Sequence, residues 1–298
     1  DKKNLDLVSV TYGPGLMGAL LVGLNVAKGL AIGLDIPLLC INHLEGHMYA
    51  NMIDNDNISY PFLCLLVSGG HTQIWQVSSP GIYKLHAKTI DDAAGEAFDK
   101  GARILGLKYP GGPEIDKLSK NGDVKKYNFP RPKVKQSKFD FSFSGLKTSL
   151  LYKYADLKKN GNIIRDEDLA ASYQEAIVDT LIDRIIKVVE YTGIKTISIA
   201  GGVAANSRFR YKAESVLRPK DIICYFPKME YCTDNAAMIA YTAYQKYKSN
   251  NYSALDIIPN PNLSLDYVWY NDFRIYSNYI FNYYNFIFLA KTILFNYR

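Results

Sequence analysis

Short apolar runs alternate along this chain with stretches in which apolar residues recur every three or four positions. The runs are typical of buried strands, and the recurring positions are typical of amphipathic helices. The predicted strands cover 6–11, 37–41, 62–68, 71–78, 82–89, 196–200 and 222–225. The predicted helices cover 15–34, 42–53, 92–106, 167–191, a segment from Asn206 and 233–247. The intervening segment 108–166 is expected to be irregular, and the alternation predicts an α/β fold.

Two of the predicted strands end in a glycine pair. Ser68-Gly69-Gly70-His71 follows one, and Ala200-Gly201-Gly202-Val203 follows the other. Ligands of α/β sheets bind outside the carboxyl ends of strands, and glycine turns let backbone N–H groups approach phosphates. Either pair alone is a common loop feature, but two in comparable positions indicate a nucleotide held between two lobes.

The stretch INHLEGH places two of the four histidines, His43 and His47, one helical turn apart. Residues at this spacing project from one face about 6 Å apart and can chelate one ion. Glu45 lies about 200° around the helix from His43 and is expected to point away. A zinc-protease motif needs its glutamate directly after the first histidine, and Leu44 stands there. A third ligand would have to come from another turn framed by apolar residues, and Asp234 in YCTDNAAMIA is a natural candidate. The alternatives are two ordinary histidines and a helix-start role for Thr233 and Asp234.

Segment 91–116 is rich in small residues and carboxylates. Glu96 and Asp99 could face a site, and Gly111-Gly112-Pro113 could let a sugar or base pack against the backbone. Asp116 could then accept ribose hydroxyls. The alternative is a helix, a turn and a second helix cap. Asn206 could likewise cap a helix or contact a ligand, and Lys147 in FSFSGLKTS could contact phosphate or follow a capped helix start.

Positive charge is concentrated in one segment. Residues 120–165 hold twelve Lys or Arg and three Asp, a net +9 against +6 for the whole chain, so the rest carries −3. Aromatic residues lie in the same segment: Tyr127, Phe129, Phe139, Phe141 and Phe143. Local basic excess with aromatics is what a nucleic-acid backbone attracts, and a solvated basic surface is the alternative.

The composition suits a globular protein of one large domain or two, with 298 residues of which 48% are hydrophobic. The four cysteines form no C-x-x-C pair, which argues against a disulfide framework or a zinc ribbon. No signal-like pattern opens the chain. A reducing cytoplasm is the simplest setting.

Together, seven ordered blocks resemble the TsaD-type tRNA threonylcarbamoyladenosine synthases, long labelled glycoproteases, over about residues 5–266. The blocks are TYGPGLMGALLVGLNVAKGLA, INHLEGHMYA, LLVSGGHTQI, DDAAGEAFDKGARILGLKYPGGPEID, FSFSGLKTS, IAGGVAANSRFR and YCTDNAAMIAY. The resemblance implies an α/β fold of the actin/Hsp70/sugar-kinase-like two-lobed type. It also implies an acyltransferase that moves the threonylcarbamoyl group from threonylcarbamoyl-AMP to N6 of adenosine 37 in tRNAs reading ANN codons.

The resemblance also assigns site residues. One divalent metal ion per subunit, iron with zinc as the alternative, would be held by His43, His47 and Asp234. No catalytic residue is assigned beyond this metal site. The substrate-binding positions that match the family are Leu66, Val67, Ser68, Gly69, Gly70, Asp99, Gly112, Asp116 and Asn206.

Domain boundaries follow from the same resemblance. We expect a partial N-terminal lobe with the histidine pair at 1–107 and a C-terminal lobe with the basic segment at 108–266. The family opens with a further strand and an acidic phosphate-side turn that this sequence lacks. The first lobe is therefore expected to be incomplete.

Residues 267–298 are expected to lie outside the family fold. Of these 32 residues, 21 are Tyr, Asn, Phe or Ile. AT-rich DNA encodes such a composition, which suggests a frameshift or read-through tail. A membrane anchor at 280–295 is the alternative, but 16 residues including Lys291 are short of the roughly 20 apolar residues that a span needs.

The expected partners are tRNA and threonylcarbamoyl-AMP, with either a small paralogue and an ATPase, as in bacterial systems, or a second copy in a homodimer. No membrane association is expected, and the expected location is the cytoplasm, with the mitochondrion as the alternative. Two other functions stay open at this stage. One is a metal-dependent endopeptidase; the other is a catalytically impaired ATP-binding module of the same fold.

Overall fold

The computed structural model describes residues 4–161, 163–248 and 252–265. Its strands are β1 Val8–Gly13, β2 Leu38–Asn42, β3 Phe62–Val67, β4 Thr72–Ser79, β5 Ile82–Lys88, β6 Thr196–Ala200 and β7 Ile223–Tyr225. Its helices are α1 Met17–Leu34, α2 His43–Tyr49, α3 Ala94–Ile104, α4 Gly111–Ser119, α5 Ser144–Lys159, α6 Asp166–Thr192, α7 Ser207–Leu217 and α8 Ala236–Tyr247. The predicted α/β alternation is confirmed.

Unit 1 holds the residues up to Asn57, the hairpin tip Ser78–Tyr83 and the described residues from Asp234 onward. Its strands β1 and β2 are parallel. Helix α1 buries one side on them because its apolar residues recur at helical spacing: Leu20, Leu24, Ala27 and Ala31. Among the described helices, only α1 is long and apolar enough to cross a membrane, a test that the core helix of a soluble protein also passes.

Unit 2 holds Ile58–Val77 and Lys84–Thr233. The five-stranded sheet to which it contributes has the order β5-β4-β3-β6-β7. Strand β3 runs antiparallel to β4 and parallel to β6. All six β3 residues are buried, which explains the unbroken apolar run. Helix α6 approaches α3 closely at Gly101, where a Cβ would lie 2.4 Å from the Tyr173 ring.

These units do not follow the division expected at residues 107 and 108. The physical reason is sheet pairing, because β3 is hydrogen-bonded along its length to β6, with Leu63 opposite Ile197. The segment that contains β3 and α3 therefore belongs with the later part of the chain. Helix α8 packs instead on β2 and α2 of unit 1.

The expectation that 108–166 is irregular is wrong at both ends of the segment. Helix α4 begins in Gly111-Gly112-Pro113, which resembles a turn in sequence, although proline is tolerated in the first turn of a helix. Helix α5 buries only a narrow stripe, Leu146, Leu150 and Leu157, among lysines. Neither helix has the broad apolar face that makes periodicity readable. The expectations for 267–298 and for an anchor at 280–295 lie outside the described residues.

Candidate metal centre

The histidine pair lies on helix α2 of unit 1, directly after β2. Asn42 caps this helix, since its Oδ1 accepts a hydrogen bond of 2.9 Å from Leu44 N–H. His43 and His47 follow one turn apart with ring centroids 4.8 Å from each other. Both Nε2 atoms face the carboxylate of Asp234, at 3.3 Å from His43 and 3.1 Å from His47. The structure thus brings together the three residues that the sequence proposed as ligands.

Asp234 reaches the histidines because it lies just before helix α8, not inside it. Asn235 is the N-cap, and its side chain accepts a 2.8 Å hydrogen bond from Met238 N–H. The expectation that Thr233 and Asp234 begin the helix is therefore wrong. With the cap supplied by the next residue, the Asp234 carboxylate is left outside the first turn, where it meets the two imidazoles.

Helices α2 and α8 approach closely, which keeps Asp234 near the histidines. Gly46 lies at the contact, and a Cβ at this position would come within 2.8 Å of Ile239 Cδ1. Met238 and Ile239 of α8 both lie at this contact, and with Ala243 they belong to a buried cluster that includes Leu39 and Ile41 of β2. A larger side chain at Gly46 would push apart the helix that carries the histidines and the helix start that carries Asp234.

The three side chains fit a divalent cation. Their donor atoms all lie within 4.8 Å of one another. Ligands about 2.05 Å from a tetrahedral ion are separated by about 3.3 Å, which matches the two distances to Asp234. Two imidazole nitrogens and one carboxylate oxygen suit zinc and also the open facial site of non-haem iron. The side chain of Asp234 is 67% exposed, so the centre is open to an incoming group.

The electrostatics favour the metal-binding protonation states. Hydrogen bonds from His43 and His47 hold the pKa of the Asp234 carboxyl well below its ordinary value. Burial lowers the pKa of His47, against the opposing effect of Asp234. At neutral pH the centre therefore offers a carboxylate and a neutral imidazole, the forms that bind cations.

Glu45 points away from the centre, as its position on the helix predicts. Its carboxylate is buried and accepts a 2.6 Å hydrogen bond from Tyr83 O–H. Lys246 Nζ lies 2.8 Å from its other oxygen. Sequence reasoning missed Tyr83 and Lys246, since nothing in the local pattern of either residue marks it as a partner of a glutamate far along the chain.

In unit 2, the end of β3 forms a tight turn. Leu66 and Val67 are buried. Ser68 N–H donates to the carbonyl of His71 at 2.8 Å, and Ser68 Oγ accepts from His71 N–H at 3.1 Å. Gly69 and Gly70 are exposed, with open space where a Cβ would stand. Their backbone is accessible to a ligand, as expected for this turn.

The second glycine pair differs from the first. Gly201 has a φ of +96°, and a Cβ there would lie 2.5 Å from the Val67 carbonyl oxygen. This glycine is needed for the close approach of two adjacent strand ends, whereas Gly202 has open space around it. The two glycine pairs are similar in sequence but differ in role. Gly201 is needed for packing, whereas the backbone of Gly69, Gly70 and Gly202 is open.

Three aspartates of unit 2 bind backbone at the starts of helices. Asp99 accepts a 2.7 Å hydrogen bond from Gly111 N–H at the start of α4. Asp116 accepts hydrogen bonds from Ser207 N–H and O–H at the start of α7. Asp91 accepts hydrogen bonds from Phe143 N–H and Ser144 N–H at the start of α5. The capping alternative is therefore realised at all three, including the start of the FSFSGLKTS helix.

Asn206 is held within a buried amide network. Its Oδ1 caps α7 by accepting from Phe209 N–H, and its Nδ2 donates to Gln174 Oε1 at 2.7 Å. Gln174 in turn donates to Ser119 Oγ. Ser207, next to Asn206, binds Asp116, so these two proposed substrate positions are neighbours. The role of Gln174 and Ser119 had no signal in the sequence.

The remaining proposed positions form a second connected group. Gly95 N–H donates to the Ser68 carbonyl at 3.1 Å, and Asp99 follows one turn later on α3. Asp99 reaches Gly111, next to the half-buried Gly112. Glu96, also considered as a site residue, pairs with Lys100 at 2.8 Å.

The basic segment keeps its charge at the surface but not all of its aromatic residues. Phe129, Phe141 and Phe143 are buried in the core of unit 2. The expectation that these rings take part in a nucleic-acid surface is therefore wrong. Most of its lysines are exposed, including Lys125, Lys126, Lys133, Lys135 and Lys138.

The sequence of this chain matches one family of known proteins over most of its length. Residues 1–241 match a family model described as "TsaD: tRNA N6-adenosine threonylcarbamoyltransferase". A relative of that name from Thermosipho africanus is 51% identical over 258 residues, which cover 86% of this chain and 78% of the relative. Another from Kosmotoga olearia is 51% identical over 262 residues, covering 88% and 78%.

Solved structures resemble the fold at low sequence identity. Full-length HypF in a phosphate- and nucleotide-bound form is 13% identical with a TM-score of 0.61, covering 83% of this chain and 40% of that one. HypF from T. kodakarensis is 15% identical with a TM-score of 0.63, covering 83% and 41%. The fold is of the actin and sugar-kinase-like type, as the sequence blocks predict.

Proposed function

This chain belongs to the tRNA N6-adenosine threonylcarbamoyltransferase family, and we propose how its residues carry the reaction. The chain is an acyltransferase that forms N6-threonylcarbamoyladenosine in tRNA. We propose that its target is adenosine 37 of tRNAs reading ANN codons. In the reaction a bond forms between adenosine N6 and the carbamoyl carbon of threonylcarbamoyl-AMP. The bond from that carbon to the phosphate oxygen breaks, AMP leaves, and N6 loses one proton.

We propose that His43, His47 and Asp234 hold one divalent cation, iron first and zinc as the alternative. The observation that carries this proposal is the convergence of both Nε2 atoms on one carboxylate oxygen, at 3.3 and 3.1 Å. Two histidines with one carboxylate form the ligand set of open non-haem iron sites. When bound, the cation supplies a Lewis acid for the acyl-phosphate oxygens and for the charge of the leaving AMP.

The environment of Asp234 and His47 favours the protonation states in which these side chains bind a cation. The lowered pKa values of Asp234 and His47 favour the ionised carboxylate and the neutral imidazole at neutral pH. The exocyclic amine of adenosine is a weak base, so orientation and electrostatics must supply much of the rate. We assign no general base to the described residues.

Threonylcarbamoyl-AMP is proposed to bind the positions collected in unit 2: Leu66, Val67, Ser68, Gly69, Gly70, Asp99, Gly112, Asp116 and Asn206. The accessible backbone of Gly69 and Gly70 supports a phosphate contact. Asp116 is half-buried, and its carboxylate oxygens can accept further hydrogen bonds from ribose hydroxyls. Asn206 supports the same corner through its bond to Gln174.

The basic segment 120–165 is proposed to contact the tRNA backbone. Exposed lysines at 125, 126, 133, 135 and 138 support contact with phosphates, while the buried phenylalanines exclude base stacking on those rings. Contact of this kind depends on salt and carries no sequence information. Replacing Lys133 and Lys135 by glutamine should lower tRNA affinity and flatten its salt dependence.

Protein partners and location are also proposals. We propose that the enzyme acts either with a small paralogue and an ATPase or as a homodimer. We place it in the cytoplasm, with the mitochondrion as the alternative. The family supplies these options, and size measurements with and without candidate partners distinguish them.

The endopeptidase alternative loses support from the site. Leu44 occupies the position of a protease's general base, and Glu45 is buried on the other side of the helix in contact with Tyr83 and Lys246. The impaired-module alternative predicts nucleotide binding without product.

Mass spectrometry of tRNA nucleosides after reaction with threonylcarbamoyl-AMP tests the proposal. Wild type should form the modified nucleoside, whereas His43→Ala and Asp234→Ala should not. His86→Ala is the matched control, because His86 binds Gln76 in unit 2 outside the centre. Full activity in both site variants would remove the metal from the reaction, and nucleotide binding without product in wild type would favour the impaired module.

A further inference from the structure

The face of helix α2 opposite the histidines carries a buried charged group. Glu45 is 1% exposed, although it lies between two metal ligands in the sequence. Charged side chains are almost never this buried unless they are paired. The contacts of Glu45 therefore point to what this side of the helix does.

Two contacts tie Glu45 to separate parts of unit 1. Tyr83 O–H, from the hairpin tip between β4 and β5, donates to Oε1 at 2.6 Å. Lys246, from the last turn of α8, places Nζ 2.8 Å from Oε2, an ion pair by distance without well-directed hydrogen-bond geometry. The side chain of Lys246 is 13% exposed, so this pair lies largely outside water.

Two further contacts hold the Tyr83 hydroxyl in place. Tyr83 Oη also lies 3.1 Å from Tyr49 Oη, at the end of α2, and accepts a 3.1 Å hydrogen bond from Gly81 N–H. Burial, followed by the nearby Glu45 carboxylate, raises the pKa of Tyr83 well above its ordinary value. The phenol therefore keeps its proton and remains a donor to Glu45.

The contact with α8 sets the register between the two ligand-bearing segments. Gly46 touches Ile239 near the start of α8, and Glu45 pairs with Lys246 near its end. Two contacts seven residues apart, about 10 Å along a helix, fix both the position and the rotation of α2. Asp234 directly precedes α8, so the same two contacts set where the imidazoles stand relative to its carboxylate.

We infer that Glu45, clamped by Tyr83 and Lys246, is a positioning residue that holds the histidine helix in register with Asp234. Fixing a register is the best-attested use of a buried charged pair. Hydrophobic burial is non-directional, whereas the two polar contacts of Glu45 are tied to specific atoms, and a rotation of α2 would separate the two Nε2 atoms from Asp234. This inference rests on the proposed metal centre and adds the group that sets its geometry.

Cobalt binding to the metal-free full chain tests the inference. The Co²⁺ dissociation constant and the intensity of its visible absorption bands are measured for wild type, Glu45→Gln, Lys246→Met and Tyr83→Phe. Residues that orient metal ligands typically cost about 10–100-fold in affinity, and we expect that range for Glu45→Gln and Lys246→Met. Tyr83→Phe removes one hydroxyl and should weaken binding less.

Two controls separate positioning from general stability. Lys248→Met removes an equal charge two residues along the same helix end, where Lys248 lies over the Tyr244 ring, and it should bind Co²⁺ as wild type does. The double variant Glu45→Gln with Lys246→Met should lose no more Co²⁺ affinity than the single variant that binds Co²⁺ less tightly. The reason is that the two residues act as a pair. Thermal unfolding of each metal-free variant is recorded alongside.

Wild-type Co²⁺ affinity and absorption in Glu45→Gln and Lys246→Met, with only a lowered melting temperature, would overturn the positioning role. The positioning role would also be overturned if the fold-loss of Co²⁺ affinity in the double variant equalled the product of the losses in the two single variants. His47→Ala distinguishes the two levels of the proposal. If it binds Co²⁺ as tightly as wild type, the metal centre itself is wrong and the positioning role falls with it.

Discussion

Asp234 in unit 1 and Asp116 in unit 2 both lie beside the start of a helix, yet their carboxylates have different partners. Asp116 accepts hydrogen bonds from Ser207 N–H and O–H at the start of α7. Asp234 faces two imidazoles instead, because Asn235 takes the capping position of α8. An aspartate near a helix start is a cap by default. Where a neighbour takes that role, the aspartate is released for chemistry.

The same contrast holds across the two units. In unit 2, Asp91 and Asp99 also bind backbone at helix starts, so these carboxylates help to hold the fold. In unit 1, the carboxylate that does comparable structural work is Glu45, and Asp234 remains largely exposed. Substitutions of aspartate should therefore affect metal binding in unit 1 and stability in unit 2.

The largest expected effect is at Asp234. Replacement by asparagine keeps the shape of the side chain and removes the anionic ligand, so Co²⁺ affinity should fall by more than about 100-fold, beyond the loss typical of supporting residues. The matched change, Asp116→Asn, should leave Co²⁺ affinity unchanged. Calorimetric titration of both variants checks this, and equal affinities for the two would erase the contrast.

Acidification should be the next largest effect on the metal centre. A proton competes with the metal for imidazole, and burial lowers the pKa of His47 below its usual 6.5. Co²⁺ affinity should therefore hold at neutral pH and fall at some pH below 6.5, once His47 takes up a proton, by up to about tenfold per pH unit. A flat profile from pH 7.5 down to the pH at which the protein unfolds would contradict the assignment of His47 as a ligand.

His47 should also make the free energy of unfolding depend on pH, in the same direction as the Co²⁺ affinity. The unfolded chain takes up a proton near pH 6.5 before the folded chain does, so this stabilisation is present above that pH and is lost as the pH falls. Metal-free wild type should therefore melt at a lower temperature at pH 5.5 than at pH 7.5, and His47→Gln should show a smaller difference. An equal difference in both proteins would place the pH dependence elsewhere.

Removing a cap in unit 2 should affect folding alone. Asp91→Ala leaves the N–H groups of Phe143 and Ser144 without their acceptor, so the free energy of unfolding should fall by about 1–2 kcal/mol. Burial opposes ionisation of Asp91, but hydrogen bonds from Ser142, Phe143 and Ser144 hold its pKa below its ordinary value. Its stabilisation is thus present above about pH 3.9 and is lost as the pH falls through the lowered pKa.

Urea unfolding at pH 7 and pH 3 measures this effect. The difference between wild type and Asp91→Ala should be smaller at pH 3, and Co²⁺ affinity at pH 7 should be the same in both proteins. A loss of Co²⁺ affinity in Asp91→Ala would break the separation between the two units.

The smallest expected effect is at Asn235. Asn235→Ala removes the cap of α8, which should cost about 1 kcal/mol of unfolding free energy. Asp234 can then turn to cap the helix itself, so Co²⁺ affinity should also decrease. Asn206→Ala, at the start of α7, is the comparison, because it removes a cap of the same type and should lower stability without changing Co²⁺ affinity.

The metal centre could be predicted from the sequence to different degrees at each residue. The spacing of His43 and His47 alone indicates a pair on one helical face, and the same geometry predicts that Glu45 points away. Asp234 lies 187 positions from His47, and its own sequence context made it a candidate ligand but could not show that it meets the histidines. The resemblance to a family assigned it as a ligand, and the packing of α8 on α2 explains its position.

Other features depend on long-range packing that no local pattern encodes. Tyr83 and Lys246 meet Glu45 only because the hairpin tip and the end of α8 converge on one helix. Helix α5 begins where Asp91, more than fifty positions earlier, supplies its cap. The strand alternation was predictable because β3 and β6 are wholly or largely buried, whereas the short apolar stripes of α4 and α5 were too narrow to read.

X-ray absorption spectroscopy of the cobalt-loaded protein tests the central claim most directly. We expect one ion per chain, with two imidazole nitrogens and carboxylate or water oxygens at about 2.0–2.2 Å. In His47→Ala the scattering should show one imidazole fewer, at a reduced metal content. An ion without imidazole scattering, or an unchanged spectrum in His47→Ala, would contradict a metal centre built from His43, His47 and Asp234.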